Sequence, residues 1–196
     1  MSDALPRQTL ARAAARLNAG HCKAGLLPPL ILMTDDERLR DPVAAAKALP
    51  QGSLVIVRSR DAARRADLAE TLLRLPLFVL IAGDPALVAR LGADGLHLPE
   101  TRAHEAAHWR ALHPRWIIGA ARAANPHLDF VLLSPVFPTR SHRGRPSLGA
   151  VRANTLAKAS RVPAYALGGI DARNARLLHG FAGIAAIGAL DIDDGV

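Results

Sequence analysis

The fold this sequence predicts is a closed, minimal α/β barrel of eight parallel strands, and three observations predict it. Eight short apolar runs recur along the chain, at 30–33, 54–57, 77–81, 95–98, 116–120, 129–133, 164–167 and 183–187. They are continuous rather than alternating, as strands covered on both faces should be. Helix-compatible stretches separate most of them, at 42–49, 62–75, 85–91, 104–112, 151–160 and 172–179; strand–helix alternation builds a parallel sheet. The last two runs end at glycine, at Gly168-Gly169 and at Gly188, where late barrel strands carry anion-binding turns. Together these point to a (β/α)8 TIM barrel. An open doubly wound sheet is the alternative that spacing alone leaves standing.

Taken in order, residues 1–28 read as an N-terminal extension closed by Pro28-Pro29, and 29–196 as the barrel. The extension has a short amphipathic pattern, with Leu10, Ala14 and Leu17 on one side. After the first strand, Thr34-Asp35-Asp36 has the composition of a helix cap. Arg58 and Arg60, two apart at the end of the second strand, point the same way; an Arg58 facing the interior needs an anionic partner. Asp84 before Pro85 reads as a helix N-cap. His97 lies within the fourth strand, where a packed, hydrogen-bonded histidine is the plain reading. Only nine residues separate Gly119 from Asp129, and Pro126 breaks any helix among them. A helical crossover needs a dozen or more residues, so a bare loop is expected after the fifth strand. The barrel wall it exposes is an expected seat for a partner or a second copy of the chain.

Composition excludes several classes of function. The chain has 196 residues, room for one well-cored domain, and half are hydrophobic but only 4% aromatic. No apolar run approaches the roughly 20 residues of a membrane span, and the N-terminus lacks the apolar core of a secretory signal. A single cysteine, Cys22, rules out an intrachain disulfide or a multi-cysteine metal site. A cytoplasmic home is expected. The net charge of +8 is mostly arginine spread along the chain, without the base-stacking aromatics of a nucleic-acid surface. One cluster, Arg140, Arg143 and Arg145 around His142, follows a strand and suits a small phosphorylated molecule.

The positions just past the strand ends form a mouth rich in arginine, hydroxyls and backbone donors: Arg58, Asp84, Thr139, Ser141, His142, Gly168, Gly169 and Gly188 among them. Glycine there lets the backbone approach phosphate oxygens, although each turn alone also reads as a helix cap. Serine nucleophile chemistry has no histidine–carboxylate relay to support it, and no HExxH, Walker loop or GxGxxG appears.

Three runs, GADGLHLPE (92–100), LLSPVFPTRSH (132–142) and YALGGIDARNA (165–175), resemble in order the thiamine phosphate synthase/TenI family, over 30–190. That resemblance implies a (β/α)8 barrel. It also implies one of two reactions. Synthases join a hydroxymethylpyrimidine diphosphate to a thiazole phosphate, releasing pyrophosphate with Mg2+; the TenI branch isomerises the thiazole ring, for which His97 or His142 would carry the proton, or has no settled activity. A third reading is a non-catalytic protein that keeps the phosphate cup and binds a phosphorylated ligand without turnover. By the same resemblance Thr139, Ser141, Gly168, Gly169, Ile187 and Gly188 hold the thiazole phosphate, with Gly188 where the family has serine. The diphosphate side departs from the pattern. Gln-x-Arg-x-Lys becomes Ile56-Val57-Arg58-Ser59-Arg60, Asn-Asp becomes Gly83-Asp84, and the lysine after the PTxT hydroxyls becomes His142. The position of a second metal-binding aspartate falls near Arg102, and the serine after the fifth strand near Ala121. Arg58, Arg60 and His142 are therefore expected to steady the departing diphosphate, with Asp84 alone left for the metal.

Overall fold

The computed structural model describes residues 4–21, 27–122, 124–139 and 146–188, with side chains from Gln8 onward. Eight strands form the wall: β1 (Leu30–Met33), β2 (Leu54–Val57), β3 (Phe78–Ala82), β4 (Gly95–Leu98), β5 (Ile117–Ala121), β6 (Phe130–Leu133), β7 (Ala164–Leu167) and β8 (Gly183–Ala186). All pair in parallel with their chain neighbours, and β8 closes on β1 with Leu30 opposite Ile184. The expected barrel is therefore present, and the open sheet is not. Around it lie α1 (Ala4–Ala19), α2 (Pro42–Lys47), α3 (Ala62–Leu72), α4 (Pro85–Leu91), α5 (Ala106–Leu112) and α6 (Gly149–Ala159). Asp41, Asp61 and Asp84 start three of these helices by accepting backbone N–H bonds from their first turns. No described helix is long and apolar enough to cross a membrane.

The N-terminal half of the barrel interior is solid. Phe130 and Tyr165 meet edge to face, their ring centroids 5.5 Å apart, and the Tyr165 hydroxyl donates to the Pro28 carbonyl at 2.8 Å. Space for these rings comes from glycines opposite. A Cβ on Gly119 would lie 2.2 Å from Phe130 Cζ, and one on Gly183 would lie 2.7 Å from Tyr165 Cε1. With few aromatics available, two rings and two missing side chains fill what several branched residues fill in other barrels. The open volume is thereby pushed to the C-terminal end of the strands.

Two connections are abbreviated. Between β5 and β6 there is a loop with a turn at Pro126-His127, as the sequence leads one to expect. It does not leave the wall bare: Leu128 is buried and the Asn125 side-chain amide donates to the Ala103 carbonyl. After β7 the expected helix over 172–179 is reduced to one 3₁₀ turn, Ala175–Leu177. Asp171 accepts from the backbone N–H groups of Arg173 and Asn174 as an N-cap does, but the turn it starts ends at Leu178, which is extended, where the Asn154 side chain of α6 donates to the Leu177 carbonyl and accepts from the His179 amide. The outer face of β8 is covered instead by α1, which contacts β8, β1 and this turn. Leu10, Ala14 and Leu17 are buried there, while Asn18 donates to the carbonyls of Leu27 and Ala182.

Candidate functional site

A cavity of about 890 Å³ opens at the C-terminal mouth. Of the residues the sequence assigns to phosphate binding, Thr139, Gly168, Gly169, Ile187 and Gly188 all line it. Ser141 and His142 lie outside the described residues. The loops after β6 and β7 are zipped together: Val136 N–H donates to the Leu167 carbonyl and Phe137 N–H to that of Gly168, each at 3.0 Å. Asn174 then fastens the Gly169 carbonyl through its side-chain amide at 2.7 Å. With these carbonyls engaged, the amide N–H groups of Gly168, Gly169, Ile187 and Gly188 donate no hydrogen bond among the described residues. Such uncommitted rim amides suit an anion. Asn174 was missed by reasoning on glycines alone; its signal was the Asp-x-x-Asn spacing, which lets its side chain accept from the Asp171 amide.

Across the mouth stand arginines. Arg58 lines the cavity, and its Nη2 donates to Asp35 Oδ2 at 2.6 Å. Asp35 is buried and also takes two bonds from the guanidinium of Arg38, through Nε at 3.0 Å and Nη2 at 2.7 Å. Hydrogen bonding from Arg38, then from the Glu37 amide, with the Arg38 and Arg58 charges, overcomes desolvation and lowers the Asp35 carboxyl to about 2. The anionic partner that Arg58 requires is thus Asp35 of the neighbouring strand end. Arg38, which sequence reasoning did not single out, also lines the cavity. Arg60 does not join it. Its side chain is 91% exposed and faces Glu37 at 3.7 Å beside a separate hollow of about 140 Å³.

The loop after β3, where the resemblance places the metal, is occupied by cations of the protein itself. Asp84 Oδ1 accepts from the Leu87 amide and Oδ2 from Arg65 Nη2, both at 3.0 Å, and both bonds hold its carboxyl below the usual range. Arg102 donates to the Gly83 carbonyl at 2.9 Å while its other N–H groups grip Glu105 at 2.7 and 2.8 Å. No set of three acidic or metal-ligating side chains converges among the described residues. A hard divalent cation wants several free oxygens, and these residues do not fit one. Millimolar magnesium, or its removal with EDTA, is accordingly expected to leave the melting temperature of the ligand-free protein unchanged. A magnesium-dependent rise in a thermal scan would contradict that.

His97 faces the cavity between two small neighbours, with Ala82 and Gly119 in register on β3 and β5. It is buried as the sequence suggests, but Nε2 has no hydrogen-bond partner. Burial, with the Arg58 charge second, lowers the imidazole to about 4, so it is neutral at physiological pH.

Comparison with known proteins agrees with this frame. The family model described as thiamine monophosphate synthase matches residues 30–190. The thiamine-phosphate synthase of Chromobacterium violaceum is 36% identical over 182 residues, covering 82% of this chain and 85% of that protein. The putative thiamine-phosphate synthase of Geobacter sulfurreducens is 32% identical, with 84% and 87% covered. The match to putative thiamine-phosphate synthase 2 of Aquifex aeolicus is shorter, 32% identical over 48% of this chain and 56% of that protein. Among solved structures, a thiamine phosphate pyrophosphorylase from Pyrococcus furiosus superposes with a TM-score of 0.66 at 22% identity, covering 84% of this chain and 88% of that one. At that identity the likeness speaks to fold alone; the matched family model, spanning all eight strands, places the chain in the thiamine monophosphate synthase family.

Proposed function

We propose that this chain performs the coupling for which its family is named, as a cytoplasmic enzyme of thiamine biosynthesis. A thiazole phosphate sits with its phosphate in the amide cup, and a hydroxymethylpyrimidine diphosphate lies toward Arg58. The observation that carries this reading is the sharing of one cavity by two anion-seeking sides. Uncommitted amides lie on the β6–β8 side, and the guanidiniums of Arg38 and Arg58 on the β1–β2 side. The cavity of about 890 Å³ is near the top of the small-molecule range of roughly 300–1,000 Å³, which gives room for two small rings.

The bond between the pyrimidine methylene and the diphosphate oxygen breaks, and its electron pair leaves with pyrophosphate. The thiazole nitrogen lone pair closes a new C–N bond to the methylene and leaves a thiazolium. No proton need move. Arg58 stands beside the developing negative charge; it gives one bond to Asp35, and the rest of its fork is uncommitted among the described residues. The family resemblance assigns His142 and Arg60 to the diphosphate as well, although the Arg60 side chain is exposed toward Glu37 and stands off the cavity. Thr139 stands at the phosphate cup, to which the family resemblance also assigns Ser141; a fixed acceptor there makes the second step effectively unimolecular. Ring isomerisation is less well served, because His97, at about 4, is a poor proton carrier near neutrality.

A second reading, ligand binding without turnover, draws on two facts: Asp35 neutralises the arginines, and the loop after β3 does not fit a metal. Incubation with both substrates, with and without magnesium, decides between them. Formation of thiamine phosphate is expected; tight thiazole-phosphate binding with no coupled product under either condition would remove the synthase and leave the binder.

A further inference from the structure

We infer that His97 is the residue that reads the ring of a bound ligand. Its imidazole hydrogen-bonds a neutral, planar nitrogen heterocycle whose anionic group lies toward Arg58 rather than in the amide cup. This rests on the proposed function only for the identity of the probes; the observations are independent of it. His97 is 6% exposed, and its Nε2 is a buried polar atom with no partner in the described protein. Buried ring nitrogens are nearly always paired, and an unpaired one in a native site calls for an explanation such as an absent ligand.

The surroundings say what kind of ligand. The neighbouring strands offer Ala82 and Gly119 beside it, neither with a polar side chain. Below lies the Phe130 ring, its centroid 6.4 Å from the imidazole. Met33, Ala121, Leu132 and Ala185 add apolar lining to the same cavity. Small apolar neighbours suit a flat ring, with one polar atom pair to orient it. A neutral imidazole has one N–H and one lone pair, so its complement is a ring nitrogen or an exocyclic amino group rather than an anion. Around the barrel, β4 stands two strands from β2, which leads into Arg58, and three and four from β7 and β8, which lead into the cup amides, so His97 lies on the arginine side of the cavity. Both an aminopyrimidine diphosphate and a thiazole phosphate share the required chemistry; the position beside Arg58 favours the pyrimidine.

The test compares wild type, His97→Phe and His97→Gln by calorimetry. Two ring-bearing probes, hydroxymethylpyrimidine diphosphate and thiazole phosphate, are set against their ring-free counterparts, inorganic pyrophosphate and phosphate. His97→Phe is expected to bind the pyrimidine diphosphate about tenfold or more weakly, to bind pyrophosphate and phosphate as the wild type does, and to be partly rescued in His97→Gln. In protein labelled with ¹⁵N-histidine, the His97 ring nitrogens are expected to shift with the pyrimidine diphosphate and not with pyrophosphate. If the shift and the affinity loss follow thiazole phosphate instead, the ring is still read but its placement toward Arg58 is wrong. Equal affinities of wild type and His97→Phe for both ring-bearing probes would overturn the inference. So would His97 nitrogens unmoved at saturation, a readout that stands even if His97→Phe does not fold. A ring-dependent shift without coupled product would sink the synthase and leave His97's role intact. A wild type that binds no probe sinks both.

Discussion

Replacing Gly169 with alanine is expected to destabilise the protein by about 2–3 kcal/mol and to weaken phosphate-ligand binding at least about tenfold. Two penalties add at this position. The backbone holds φ +66°, and a Cβ would lie 2.4 Å from the Pro138 carbonyl oxygen and 2.7 Å from that of Phe137. Both obstacles are backbone atoms of the loop after β6, so no side chain can simply swing away. Relief requires the loops after β6 and β7 to part, and their separation spreads the amides that form the cup. Gly92→Ala isolates the first penalty, since it holds the same φ of +66° with nothing within 4 Å of the new carbon. That variant is expected to cost only about 1 kcal/mol and to leave ligand affinity unchanged. Urea melts of the two, followed by calorimetry with thiazole phosphate, give the comparison. If Gly169→Ala matched Gly92→Ala on both counts, the close packing of the two loops would have no part in the cup.

Strands were the most legible feature, because a wall buried on both faces is written as uninterrupted apolar runs. Four of the eight predicted runs coincide with the observed strands, and the others differ by a residue or two at their ends, where β3 and β5 run on through Ala82 and Ala121. The cup was legible for a similar reason: positive-φ turns at strand ends leave glycine as their trace, here Gly168 and Gly169. What the chain does not announce is pairing between distant polar groups. Asp35 looks like a local cap, and it does accept the Arg38 amide, yet its larger role is to receive Arg58 from the next strand. Asp84 is the N-cap it appears to be, but Arg65, nineteen positions earlier, takes its second oxygen. The helix expected over 172–179 stops short for a related reason: Asn154 of α6 holds the Leu177 carbonyl and the His179 amide. Such pairings depend on which strand ends are adjacent, which hydropathy periods do not encode.

Asp35→Asn is expected to lower stability at neutral pH by about 1–3 kcal/mol and to flatten the acid branch of the stability profile. The carboxyl titrates at about 2 in the folded chain against an ordinary 3.8. A folded value below the unfolded one means that the unfolded state binds the proton more readily. Its contribution is therefore complete above about pH 4 and is lost as the pH falls from there through about 2. The depression alone corresponds to about 2 kcal/mol. With side-chain exposures of 32% for Arg38 and 49% for Arg58, solvent screening trims this to about 1–2 kcal/mol. Removing the charge also leaves two guanidiniums facing one another, the source of the upper end of the range. Asp36 and Glu105 are depressed as well, so wild-type acid unfolding is a composite, and the difference between wild type and variant isolates Asp35. Guanidinium would mask the charges; urea melts at pH 7, 4 and 3 avoid that. The wild type minus variant gap should be nearly the same at pH 7 and pH 4 and clearly smaller at pH 3. A gap that stayed constant would mean that the Asp35 carboxylate is not bound more tightly in the folded chain than in the unfolded one, and that Arg58 is held at the cavity wall by something other than this ion pair.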